Sequence, residues 1–69
     1  MNDVTLHVIP TPTGGWAIKR SGAKKCSATY GDFDDAVCKA LEVAYYRKFT
    51  HVMVHDTDGR IIRVVTYGE

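Results

Sequence analysis

Apolar and polar side chains alternate from the start of the chain. Val4, Leu6 and Val8 fall on one side of an extended backbone, and Thr5, His7 and Ile9 on the other. That pattern predicts a strand over residues 4–9 with one face buried. Pro10 lacks the N–H needed to continue a ladder. Pro12, Gly14 and Gly15 extend the break into a turn. A second strand follows over residues 16–20, with Trp16 and Ile18 facing one way and Ala17 and Lys19 the other. Ser21-Gly22-Ala23 marks another turn. Cys26, Ala28 and Tyr30 alternate in a weaker third strand over residues 24–30, where strand-favouring side chains are sparse.

The period then changes. Over residues 32–48 the apolar positions Phe33, Ala36, Val37, Ala40, Leu41 and Ala44 recur at helical spacing and form one stripe. Asp32 suits the N-cap, where its carboxylate accepts from a free first-turn amide. Asp34 and Asp35 place negative charge at the positive end of the helix dipole, and Arg47 and Lys48 place positive charge at the other. Asp35 and Lys39 have the spacing and order of a supporting ion pair. The three alanines of the stripe let the helix approach a sheet closely.

Period two returns over residues 50–55, with Val52 and Val54 on one face and His51, Met53 and His55 on the other. Asp56-Thr57-Asp58-Gly59 reads as a hairpin turn, Asp58-Gly59 supplying the positive-φ residues. In the last strand, residues 60–67, Ile62, Val64 and Thr66 share one side, and Ile61, Arg63, Val65 and Tyr67 the other. Both sides are partly apolar, which fits a central strand or one with a covered second face. The expectation is an α+β fold: a single antiparallel β-sheet of four to five strands with one α-helix on one face, in the order β-β-(β)-α-β-β.

Composition narrows the class. The 69 residues are expected to form a single domain, and one this small gains from a disulfide, a metal or a partner subunit. Two cysteines without a CxxC or a Cys/His zinc spacing predict reduced thiols and a cytoplasmic protein. Whether Cys26 and Cys38 lie close enough to pair depends on where the third strand runs. No apolar run approaches the roughly 20 residues that span a membrane, and the first residues lack the pattern of a signal peptide. A formal net charge of +1 supplies no long-range pull towards nucleic acid or membrane.

Candidate chemistry is thin. His51 and His55 stand four residues apart on one strand, roughly 13 Å, too far to chelate one ion, so ordinary surface histidines are expected and no metal or cofactor. Asp56 and Asp58 lack the further acidic positions of a calcium loop. Asp34 and Glu42 flank Cys38 at helical spacing and disfavour its thiolate, and Cys26 has no evident base. No nucleophile, base and orienting group stand together, which argues against an enzyme.

The run HVIPTPTGGWAIKRSGAKK and the later VMVHDTDGRI, with Tyr67-Gly68 at the end, resemble a small bacterial family known as domain of unknown function 2188. The resemblance extends from about His7 to Gly68 and rests chiefly on the Trp16 strand and the Asp58-Gly59-Arg60 turn. The helix departs from the family's usual alanine, arginine and glutamate at Val43, Tyr45 and Tyr46. The resemblance implies the fold and a bacterial or phage origin, and carries over no catalytic residue.

The functional expectation is therefore a non-enzymatic protein-binding module. Its surface would be the sheet face away from the helix, where strand parity places Ile9, Ala17, Met53, Ile61, Val65 and Tyr67 among His7, Lys19, His51, His55 and Arg63. A face this apolar on so small a domain marks an interface. The partner would be another protein or a second copy, through that face or an edge strand. A phage or mobile-element inhibitor of a bacterial defence complex, such as an anti-CRISPR protein, fits the size and the lack of chemistry. The alternative is nucleic-acid binding through the basic turn of Lys19, Arg20, Lys24 and Lys25.

Overall fold

In the computed structural model, residues 4–67 are described. Five strands and one helix follow in the order β1 (Thr5–Pro10), β2 (Trp16–Arg20), β3 (Ala28–Tyr30), α1 (Phe33–Arg47), β4 (His51–His55) and β5 (Ile61–Thr66). They form an α+β fold with a single sheet ordered β3-β2-β1-β4-β5. The sheet is mixed rather than wholly antiparallel. β1 pairs antiparallel with β2, but parallel with β4. The reason is the path of the chain. It leaves β1 through two antiparallel strands, crosses the sheet in α1, and lays β4 along the free side of β1 in the same direction. A parallel neighbour requires such a crossover, and its helix necessarily covers the face it crosses.

The core lies between that helix and the central strands. Leu6, Val8, Ile18, Val52 and Val54 meet Ala36, Val37, Ala40 and Ala44. Ala36, Ala40 and Ala44 have no exposed surface, as the close approach of an alanine stripe requires. Trp16 closes one end by standing edge-on to Phe33, ring centroids 4.7 Å apart. The helix lies over β1 to β4 and leaves β5 uncovered.

Several local expectations change. Asp32 occupies the N-cap in an extended conformation, but its side chain makes no capping hydrogen bond. Lys39 pairs with Glu42 at 3.0 Å rather than with Asp35. The third strand is confined to Ala28–Tyr30, so Cys26 falls outside it; Cys26 and Cys38 are both exposed free thiols. In the last hairpin only Gly59 has a positive φ, 87°. The Asp56 carboxylate fixes this turn by accepting from the amides of Asp58 and Arg60, each at 2.9 Å. At the helix end Lys48 takes the left-handed conformation, φ 61° and ψ 38°, and the amides of Lys48 and Phe49 both donate to the Ala44 carbonyl. This is the terminating geometry that glycine usually serves.

β5 differs most from expectation. It is an edge strand, neither central nor covered. Its register with β4 slips at one point: Val54 opposes Arg63 and His55 opposes Ile61, leaving Ile62 as an extra residue. Such a bulge shifts the parity of everything that follows. Val65 opposes Val52, on the helix side, and packs with Tyr67 against the core. Arg63 opposes Val54 on the same side. Arg63, Val65 and Tyr67 therefore do not belong to the open face. Val64, opposite Met53, and Thr66, opposite His51, do.

Candidate functional site

The open sheet face is built mainly from β1, β4 and β5. Register places His7 beside Met53 and Thr5 beside His51. Met53 stands opposite Val64, and His55 opposite Ile61. Ile62, the extra residue of the bulge, is exposed at the edge beside them. Ile61, Ile62 and Val64 are each more than half exposed. Of the side chains expected here, His7, Ile9, Met53, His55 and Ile61 are brought together on this face. Ala17 also faces this way but is fully buried between Ile9 and Thr29, so it offers no surface. Alternation alone missed Val64. Only the bulge turns it to this face, and no residue at that point announces it.

Two histidines meet on this face. His7 Nδ1 lies 3.1 Å from His55 Nε2. His55 Nδ1 donates to the Gly59 carbonyl at 3.2 Å, which fixes the ring so that Nε2 is turned to His7. Burial, reinforced by His55 and by Lys19, holds His7 below the usual histidine range. His51 is absent from this pair; its Nδ1 lies 3.0 Å from the Thr50 hydroxyl. Among the described residues, no group of three or more His, Cys, Asp or Glu side chains is placed to hold a metal.

The edge of β5 is a second feature. The Tyr67 amide donates to the Thr50 carbonyl, so it points at β4. Backbone direction alternates along a regular antiparallel pair, hence the N–H and C=O groups of Val64 and Thr66 point outwards. A six-residue edge with five β-branched side chains, interrupted by Arg63, is a template for another strand. The opposite edge, β3, is only three residues long.

The four basic residues of the early turn do not share one surface. Lys19 opposes His7 on the open face, and Arg20 opposes Leu6 on the helix side. Lys24 and Lys25 are exposed in the segment before β3. Arg20 instead joins Arg47 of the helix at a groove of about 280 Å³ floored by Leu6, Ile18 and Tyr30. Sequence reasoning missed that pairing, since 26 intervening residues separate the two arginines.

Among the described residues, no helix is long and apolar enough to cross a membrane. Residues 6–67 match a family described as an uncharacterized protein conserved in bacteria, DUF2188. A relative from Bacillus subtilis (strain 168), the uncharacterized protein YdaT, is 39% identical over 62 residues. That match covers 90% of this chain but only 40% of the relative, so the chain spans well under half of the relative's length. No solved structure gives a significant match. With nearly its whole length matched, this chain belongs to the DUF2188 family of bacterial proteins.

Proposed function

We infer that the chain is a non-enzymatic protein-binding module that works through the β5 edge and the apolar stripe beside it. The observation that carries this reading is the exposure of Ile61, Ile62 and Val64 along a strand whose outer edge has no partner strand among the described residues. The occupant that this edge suits is a second copy of the chain. Two β5 strands related by a two-fold axis pair antiparallel, so one edge serves both sides.

The register follows from parity and backbone direction. Val64 sits opposite Val64 of the second copy, and Ile62 opposite Thr66 on either side. The outward N–H and C=O groups of the two Val64 residues then pair with each other. Arg63 faces Val65 across the seam. Of the two neighbouring registers, the one that sets Ile62 opposite Val64 would put Arg63 against itself, and like charges directly opposite are destabilising. A standard interface takes about 800 Å² from each partner, roughly a sixth of the 4875 Å² surface of the chain. One strand edge is too small for that, so the adjoining open face around Met53 contributes as well. A small inhibitor of a bacterial defence complex is one role for such a module.

Light scattering and sedimentation test the reading. The parent chain is expected at twice its monomer mass at concentrations of about 0.1 mM. Val64→Pro removes an outward N–H that the β4 ladder does not use, and Val64→Lys places a charge on the seam. Both variants are expected to be folded monomers. A parent that stays monomeric up to about 1 mM overturns self-association. If that monomer shifts generic DNA at low salt, and Lys24→Glu with Lys25→Glu abolishes the shift, nucleic-acid binding takes its place.

A further inference from the structure

We propose that His7 and His55 form a two-nitrogen site for an imidazole-preferring transition-metal ion, with copper held most tightly. This does not depend on the pairing of β5. It starts from the 3.1 Å between His7 Nδ1 and His55 Nε2. With metal–nitrogen bonds of about 2.0–2.1 Å, two neighbouring ligand nitrogens stand about 2.9 Å apart at a right angle and about 3.4 Å apart at the tetrahedral angle. The observed separation falls between these values. The two rings are inclined by 35°, with centroids 5.3 Å apart, so their nitrogens face each other nearly head-on. What remains is a tilt of two half-buried rings until both lone pairs meet at one point.

The surroundings resemble those of a ligand pair in three respects. First, both histidines are carried on strands inside the sheet: His7 is paired on both sides, with Lys19 and Met53, and His55 closes β4 opposite Ile61. Second, the far nitrogen of the His55 ring already donates to a backbone carbonyl, that of Gly59. A metal-bound histidine characteristically makes this outer bond, which sets the tautomer and turns the other nitrogen's lone pair to the metal. Third, Met53 lies directly across from His7 on the same face. A thioether there suits the cuprous ion, and among divalent ions Cu²⁺ stands at the top of the affinity order for nitrogen ligands.

One group opposes the ion. Lys19 stands across from His7 on β2, and its charge weakens any cation beside it. Loading the site is a simple exchange. The proton that His7 Nδ1 shares with His55 moves through solvent to His7 Nε2, the ion takes its place between His7 Nδ1 and His55 Nε2, and water fills the remaining coordination positions. No electron moves.

The test uses the whole chain with Cys26→Ser and Cys38→Ser, because exposed thiols bind the same ions. Titration with Cu²⁺ is expected to show one ion bound per chain, with an electron paramagnetic resonance signal split by two imidazole nitrogens. His7→Ala and His55→Ala are each expected to weaken binding at least about tenfold, and His51→Ala to leave it unchanged. Zn²⁺ added to the unsubstituted rings should move the ¹⁵N imidazole resonances of His7 and His55 together, a readout that needs no mutation in the sheet. Binding that is equally tight without either histidine overturns the proposal, as do His7 and His55 resonances that Zn²⁺ leaves in place.

Discussion

The Tyr67 hydroxyl donates to the Leu41 carbonyl oxygen at 3.2 Å and ties the segment just beyond β5 to the middle of the helix. The helix does not otherwise cover β5, so this bond and the packing of Val65 are what anchor the outer strand to the core side. Tyr67→Phe keeps the ring and deletes the bond. It is expected to cost about 0.5–1.5 kcal/mol, read as a lower urea midpoint with an unchanged slope. An unchanged midpoint would mean that water replaces the bond at no cost.

His7 makes folding sensitive to acid. Its folded-state pKa is lowered by burial first, then by His55 and Lys19. An unfolded histidine takes up its proton near pH 6.5, before the folded one does. The unfolded chain therefore binds more protons in the window just below that value, and stability falls as pH drops through it. The loss is complete below the folded pKa. Urea midpoints measured from about pH 7.5 down to about pH 5 should decline, and decline less in His7→Gln, which cannot titrate there. Parallel profiles for the two proteins would remove His7 as the cause.

Ala40 sits where the helix is pressed against the sheet, with no exposed surface. Ala40→Leu adds volume to a filled space and is expected to destabilise by about 1–3 kcal/mol. In a domain of this size each 1 kcal/mol lowers the melting temperature by about 4–8 °C, so scanning calorimetry resolves it. A melting temperature within about 1 °C of the parent would show that the helix can lift without loss.

Lys48 holds a left-handed conformation that costs a residue with a Cβ about 1–2 kcal/mol. Lys48→Gly relieves that cost, and the greater freedom of glycine in the unfolded chain offsets part of the gain. The net expectation is a rise in stability of up to about 1 kcal/mol, measured by thermal melting. A fall would show that the lysine side chain matters more than its backbone.

The helix, the two hairpins and the inward set Leu6, Val8, Ile18, Val52 and Val54 were legible in the sequence, because period and turn chemistry are local properties. The five open-face residues on β1, β4 and the start of β5 were legible for the same reason. Arg63, Val65 and Tyr67 were not. Their side of the sheet depends on the extra residue Ile62, and alternation counted past it without a signal. Nor was the meeting of His7 with His55, which requires β1 and β4 to be neighbours although 40 residues lie between the two strands.

By itself, then, the sequence determined which segments are extended, which one is helical, and which side of each regular segment is apolar. These follow from side-chain spacing along a single stretch of backbone. Only the tertiary structure decided the neighbours. The crossover of α1 sets β4 parallel to β1, places β5 at the edge, and so brings two imidazoles together while leaving the outer edge of β5 without a neighbour among the described residues. Strand adjacency is a relation between distant segments, settled by how the helix closes over the sheet, and no local pattern encodes it.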